Sequence, residues 1–331
     1  MTWLDGWTYR KSHKISGTSD GSQTDYQIKI VTNYGSGTDS DNTIYLDSKS
    51  KGTFDDIRFT TSEGSTELDF FKDDLSISSS ADFWVELDSI PESPSTTEIY
   101  IYYGNDSANP SSNIKNTYPQ AIDFNTDAIG SHGGSQDSGG GNEWSSGSNA
   151  SIAKDFIHFG LGSNRSNNWK YANVGSLNIT SGDFMMEYWI SGDTSNEPEI
   201  VGCGHDTVSD IGDIESGKSY TCWGTQSWGL TTPAYNEGEA GWQYINAVLD
   251  DYTGSHDAIT MIHDNDTGPS ATSTKLGNIR VRKYTTNEPT HGTWGNEETL
   301  DENGDPITSF IGSGLIVMTK VKSGFMKVYK R

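Results

Sequence analysis

The chain has 331 residues, a formal charge of −24, 37 glycines, an apolar fraction of 32% and aromatics at 11%. That length allows two domains with ordinary cores, and such acidity argues against nucleic acid or an anionic membrane surface as a partner, because both are held by Lys and Arg. Few aliphatic residues, much glycine and many rings fit short strands joined by polar turns and exclude a helical bundle.

No apolar run reaches 18 residues, so no spanning helix is expected, and the first residues, MTWLDGWTYRK, contain no hydrophobic signal region. Either a signal has been removed or the protein leaves its cell by lysis or assembly, as virion proteins do. Trp3 and Trp7 bracket an Asp5-Gly6 turn, and Tyr9 to Ile15 alternates as a strand. Tyr26 to Val31 alternates again, with Ile28 and Ile30 on one face, and Ile57 to Phe59 and Leu68 to Phe71 follow. Phe83 to Leu87 and Glu98 to Tyr103 are two β-branched and aromatic runs flanking a loop that holds Pro91 and Pro94. They read as a hairpin that presses one apolar face onto a second layer. Strands at this spacing predict a sandwich over residues 1–105.

The blocks WLDGWTYRKSHKI, FDDIRFTTSEGSTELDFF, DFWVELDSIP and TEIYIYYGN resemble, in order and spacing, the domain of unknown function 2341. The resemblance implies a β-sandwich module of secreted and surface-displayed multidomain proteins, with no catalytic residue to carry over.

Residues 106–117 read as a linker, and the stretch from Gly130 to Ser148 is nearly free of apolar side chains apart from Trp144. A second β domain is expected over 118–298. Ile122 to Phe124 opens it and Phe184 to Ile190 is its best core strand; Gly241 to Asp250 reads as a strand in preference to a short helix. Ala258 to Ile262 and Ile279 to Tyr284 are further strands. The closing IRVRKYTTNEPTHGTWGNEE resembles the end of a concanavalin-A-like jelly roll. Residues 299–331 form a tail in which two apolar runs, Gly314 to Lys322 and Phe325 to Tyr329, flank a Ser323-Gly324 turn. Lys320, Lys322, Lys327, Lys330 and Arg331 make that tail basic on an acidic chain, which suits docking onto a neighbouring subunit through residues 308–331. Pairing back onto its own domain is the alternative.

Candidate chemistry is sparse. Gly212 to Ser219 fits the phosphate-loop pattern, but strand-like Tyr220 to Trp223 follows where a helix is required, and Asp213 and Glu215 would repel phosphate; it reads as a plain loop. Glu67/Asp69 and Asp213/Glu215 have the spacing of glycosidase carboxylates, yet neither pair lies among the rings that grip a sugar. The seven histidines include no zinc motif. Calcium is the credible ion, with Asp264 and Asp266 on one turn and Asp301, Asn303 and Asp305 on another, although Pro306 stands where an EF-type loop needs glycine. Cys203 and Cys222 either form a disulfide in an oxidising setting or stay as two thiols. Trp169, Trp223, Trp228, Trp242 and Trp294 stand beside Gly, Asn or Lys, where exposed rings stack on sugar faces.

These features predict an all-β chain of two jelly-roll-like β-sandwich domains with a C-terminal hairpin. The expected function is a non-enzymatic adhesion or receptor-binding protein, displayed on a virion (tail, fibre or decoration) or on the extracellular surface, and taking a glycan. No cofactor is required, Ca2+ being the one ion it could take, and the protein associates as a homo-oligomer or with neighbouring subunits. A purely structural assembly subunit and a jelly-roll glycoside hydrolase are the alternatives.

Overall fold

The computed structural model describes residues 3–131, 144–159, 168–180, 182–191, 200–205, 220–223, 241–249, 254–264, 274–300, 306–308, 316–320 and 326–330. The fold is all-β, as expected, with one helical turn, α1 (Ile114–Thr117), among the described residues. The chain divides into two compact units, Met1–Ser112 with Asn287–Arg331, and Asn113–Thr286. It first lays down β1 (Tyr9–Ser16), β2 (Gln23–Asn33), β3 (Thr43–Tyr45), β4 (Arg58–Thr61), β5 (Phe70–Ser76), β6 (Ser80–Ile90) and β7 (Thr96–Tyr103). The second unit follows as β8 (Gln120–Ala121), β9 (Ile129–Ser131), β10 (Trp144–Asn149), β11 (Lys154–Phe159), β12 (Asn168–Ile179) and β13 (Phe184–Ser191). It continues through β14 (Ile200–His205), β15 (Tyr220–Trp223), β16 (Gln243–Val248), β17 (Gly254–Asp264) and β18 (Thr274–Lys283). The chain then adds β19 (Thr290–Trp294), β20 (Glu298–Leu300) and β21 (Pro306–Thr308), and ends in β22 (Ile316–Lys320) and β23 (Met326–Lys330).

The first unit is a sandwich. One sheet runs β21-β20-β1-β7-β4, with β19 also on β1, and the other runs β3-β2-β6-β5. Alternation buries Ile28, Ile30, Phe83 and Val85 from one sheet against Phe59, Ile99 and Ile101 from the other. Phe59, Phe70 and Phe83 meet edge to face at 5.4–5.8 Å, and each such buried ring contributes roughly 1.5–3 kcal/mol. One expectation changes here. The runs 83–87 and 98–103 are not a hairpin: β6 pairs with β2 and β5, whereas β7 pairs with β1 and β4. The proline-bearing loop carries the chain from one layer to the other, so both strands send apolar side chains into a core they share.

Residues after Asn287 complete this sheet. β1 has β7 on one edge; along the other, β20 pairs with Tyr9 and Arg10, and β19 with His13 to Ser16. The expected second domain ran to residue 298, but the hydrogen bonds assign 290–300 to the first unit, because without them β1 would be a bare edge. The side chains lock the junction. The Arg10 guanidinium lies 4.0 Å from the Tyr100 ring centre and 4.4 Å from that of Trp3. Arg10 donates to Glu298 at 2.7–2.8 Å and to the Tyr102 hydroxyl at 2.7 Å. Burial works against its charge, but the bonds to Tyr102 and Glu298 outweigh it and hold the Arg10 pKa above the ordinary value. Beside it, Lys49 donates to Glu297 at 2.6 and 2.7 Å, and the Tyr103 hydroxyl donates to the same carboxylate at 2.8 Å.

His13 closes the row. Its ring stacks on Trp294 at 3.8 Å, and its Nε2 lies 2.9 Å from Nδ1 of His291, one nitrogen donating and the other accepting. Burial, then the neighbouring His291, pushes the His13 pKa down to about 3; burial also lowers His291, against the pull of Asp41. Both histidines therefore refuse protons that the unfolded chain accepts below its pKa near 6.5. Their contribution to stability is complete above about pH 7 and is lost as pH falls through the window from 6.5 towards 3. The urea midpoint of the first unit is expected to fall between pH 7 and pH 5, above the range where carboxylates titrate. A flat midpoint across that window would remove the histidine pair from the account.

The second unit is also a two-layer sandwich, antiparallel throughout its described pairings. One sheet runs β10-β11-β18-β13-β16 with β8 on β18, and the other β15-β14-β17-β12-β9. Between them lie Ile157, Phe184, Met186, Tyr188, Ile190, Ile245, Leu276 and Val281 from the first, against Ala172, Ile179, Ile259 and Met261 from the second. Within the stretch 241–250, expected as a strand, Gln243–Val248 form β16. β22 and β23 pair with one another in a separate two-stranded sheet; the Ser323-Gly324 turn expected between them lies outside the described residues.

Candidate functional site

The outward face of the β10-β11-β18-β13-β16 sheet gathers aromatic rings in a pattern that follows from strand alternation. Phe184, Met186, Tyr188 and Ile190 of β13 point into the core, so Met185, Glu187, Trp189 and Ser191 point out. In β18 an irregularity at Asn278, which has a φ of 47°, shifts the register, so that Lys275, Gly277, Arg280 and Arg282 share the outward face. Cross-strand partners then form one row across five strands: Gly147, Phe156, Gly277, Trp189 and Tyr244.

The two glycines explain how so many rings fit. A Cβ on Gly147 would come within 2.7 Å of the Phe156 ring. One on Gly277 would stand 3.1 Å from Trp242 Cζ3 and 3.3 Å from Phe156 Cβ. The Phe156 ring thus lies over Gly147, and Trp242 over Gly277. Phe156 and Trp242 are 5.7 Å apart at 50°, and Trp189 and Tyr244 are 5.4 Å apart at 56°. Rings over glycines also strengthen the sheet itself. All four remain half-buried, so part of each ring is open to solvent.

Charged groups frame the row. Lys154 Nζ sits 4.0 Å above the Trp189 ring and Lys275 Nζ 5.1 Å above Phe156. On one side the register continues through His158, Lys275 and Ser191. Burial, then the charge of Lys275, holds the His158 pKa below its ordinary value. On the other side Glu187 bridges Arg280 at 3.0 Å and Arg282 at 2.6 Å, all three being buried. Arg280 also lies 5.3 Å from the Tyr118 ring centre and 5.6 Å from that of Tyr244. Asn246 follows on β16 and is exposed. The result is a firm apolar platform with hydrogen-bonding groups at its margins, which suits stacking on the C–H face of a sugar ring while polar groups take its hydroxyls.

Of the tryptophans expected at a ligand site, Trp242 belongs to this platform. Trp294 instead packs on His13 and donates to the Asp41 carbonyl at 2.9 Å. Trp169 lies on β12 opposite Ile262 and Trp223 on β15 opposite Val201, while Trp228 lies outside the described residues. Sequence reasoning placed Trp189 in a core strand without separating its face from that of Tyr188, and it passed over Phe156, Tyr244 and Gly277. Strict alternation from Phe184 would have found Trp189; Gly277 offers no such signal.

Asp264 ends β17, whereas Asp266, Asp301, Asn303 and Asp305 lie outside the described residues, as does Gly212 to Ser219. Among the described residues no group of three or more His, Cys, Asp or Glu side chains is placed to hold a metal ion. Cys203 is paired in register with Thr221, and Cys222 with Gly202, so the two cysteines are on neighbouring strands but not opposite one another. Glu67 and Asp69 are both exposed, with Glu67 3.5 Å from Arg58. A pocket in the first unit, lined by Thr61, Leu68, Leu87, Asp88, Thr97 and Glu98 among others, holds about 210 Å³, below the usual small-molecule range of roughly 300–1,000 Å³. Among the described residues no helix is long and apolar enough to cross a membrane.

No curated protein matches the chain. Among solved structures it is similar to the K3 cleaved adhesin domain of Lys-gingipain from Porphyromonas gingivalis w83, at 15% identity and a TM-score of 0.30, over 50% of this chain and 98% of that one. Residues 53–146 match the family described as Domain of unknown function (DUF2341), a match that takes in β4 to β7, and the N-terminal region therefore carries the DUF2341 resemblance expected from its sequence.

Proposed function

We propose that the protein is a non-enzymatic adhesion protein that binds a glycan on the outward face of its second unit. The observation that carries this reading is the single cross-strand row in which Phe156 stands between Gly147 and Gly277 and Trp189 and Tyr244 follow side by side, with Trp242 lying over the second glycine. A ring platform fixed by a sheet loses little conformational freedom on binding, which is how modest contacts become useful affinity. Surface display suits such a role. The acidic remainder of the chain keeps it soluble and does not oppose a neutral or weakly charged sugar.

A screen of immobilised glycans with the intact chain and with Trp242→Ala tests the reading. The intact chain is expected to bind a defined subset, and Trp242→Ala to lose at least tenfold in affinity, the scale of a central aromatic contact. Trp242 precedes β16 and is half-buried, so the variant keeps its fold. Equal binding by both proteins would exclude this face, and binding to nothing would count against the glycan reading as a whole.

A further inference from the structure

We infer that the segment from Asn287 to Leu300 is an acid-operated latch on the first unit, closed at neutral pH and opening from β1 in mildly acidic solution ahead of the rest of the sandwich. The segment arrives late in the chain, yet β19 and β20 close one edge of β1. Several of the side-chain links that hold it there pass through a carboxylate or an imidazole. The backbone and side-chain nitrogens of Asn287 donate to Asp20 at 2.8 and 2.7 Å, and His291 meets His13. Glu297 accepts from Lys49 and Tyr103, and Glu298 from Arg10. Acid turns each of these groups into a weaker or a repulsive partner. The contacts between the two sheets of the unit are of another kind: Ile28, Phe83, Val85, Phe59 and Ile99 carry no group that titrates.

The histidine pair is the trigger. Nε2 of His13 and Nδ1 of His291 are 2.9 Å apart, and the two rings stack with centres at 5.2 Å. That spacing holds one proton between two nitrogens. A second proton would set donor against donor and charge against charge. The charged groups around the pair compensate little of this. Asp41, in the loop before β3, pulls on His291, but one carboxylate balances one imidazolium. Asp39 in the same loop is engaged by Lys11 at 2.6 Å, Lys14 stands opposite Glu98 in register, and β7 sets Ile99 opposite His13. His13 is completely buried, so a charge on it meets no water while β19 is in place. Departure of β19 relieves both strains at once, taking His291 to solvent and uncovering His13 at the edge of β1. The sandwich survives the loss, because β1 stays paired with β7 over all eight of its residues. What opens is a strand edge, Tyr9–Ser16.

Hydrogen–deuterium exchange of the intact chain at pH 7 and pH 5, corrected for the intrinsic pH dependence of amide exchange, tests the latch. Amides of β19 and β20 are expected to lose about tenfold or more in protection at pH 5, within what one histidine freed from burial supplies over that window. Those of β2 and β6 should keep theirs. Glu298→Gln should loosen the segment at both pH values and preserve the ratio between them. His13→Gln combined with His291→Gln should bring that ratio close to one. Unchanged protection of β19 at pH 5 would mean that no latch exists, and an equal loss in β2 and β6 would mean that acid unfolds the whole unit; either result overturns the inference. A ratio that the paired histidine substitutions leave unaltered would overturn it as well, because the trigger would then lie elsewhere.

Discussion

Glu187→Ala is expected to destabilise the second unit by about 3–5 kcal/mol, the scale seen when one member of a buried ionic cluster is removed. The Glu187 carboxylate is completely buried and accepts from Arg280 Nε at 3.0 Å and from Arg282 Nε at 2.6 Å. Arg280 is itself fully buried and Arg282 nearly so. Alanine would take away the carboxylate that both guanidinium groups share, while the carbonyls of Asn278 and Lys283 go on accepting from Arg280 and Arg282. The effect is one of sign as much as size: the cluster is costly to assemble, and most of the loss comes from withdrawing a shared carboxylate from two buried cations. Replacing all three residues together by apolar ones of similar volume should therefore cost much less than Glu187→Ala alone. Urea denaturation followed by tryptophan fluorescence decides this, and a single-residue loss below about 1 kcal/mol would mean that solvent reaches the cluster.

Glu298→Ala should weaken the first unit by about 2–4 kcal/mol, although residue 298 lies nearly 300 positions from its partner Arg10. Arg10 is 1% exposed and sandwiched between Trp3 and Tyr100, so its charge cannot turn out to water when the carboxylate is lost. The Tyr102 hydroxyl remains as a partner, and Glu298 is about one-fifth exposed, which is why this estimate lies below that for Glu187. Arg10→Lys would be nearly as damaging, because an ammonium cannot stack between two rings while forking to a carboxylate. Loss of stability in unit one with unit two unaffected is the expected pattern in hydrogen exchange. A uniform loss through both units, or none, would contradict the assignment of Glu298 to the first unit.

The strands themselves were legible because alternation is a local property. Tyr9 to Ile15, Tyr26 to Val31 and Phe184 to Ile190 each announce a two-faced strand without help from the rest of the chain. Partners are not local. The runs that became β6 and β7 are near in sequence and both rich in rings, which is the signature of a hairpin, yet two sheets facing each other leave the same imprint. Residues 287–300 were hidden for a related reason: Glu297 and Glu298 look like solvated charges until Lys49, Tyr103 and Arg10 are brought beside them.

The site was half legible. Tryptophans beside glycine suggested a ligand platform, and Trp242 does join the aromatic face of the second unit, but the same rule chose Trp294, which is spent on packing against His13. The rule failed on Trp189, whose neighbours Tyr188 and Ile190 are core residues while it faces the other way. The distinguishing feature, glycines opposite Phe156 and Trp189, exists only once four strands are in register.

The most direct test of the central claim is to titrate a glycan found by the array into labelled protein and follow the indole N–H signals. Trp189 and Trp242 are expected to shift together and saturate with one dissociation constant, while Trp3, Trp7, Trp84 and Trp294 of the first unit stay in place. Shifts confined to the first unit's indoles, with Trp189 and Trp242 unmoved at saturation, would contradict it.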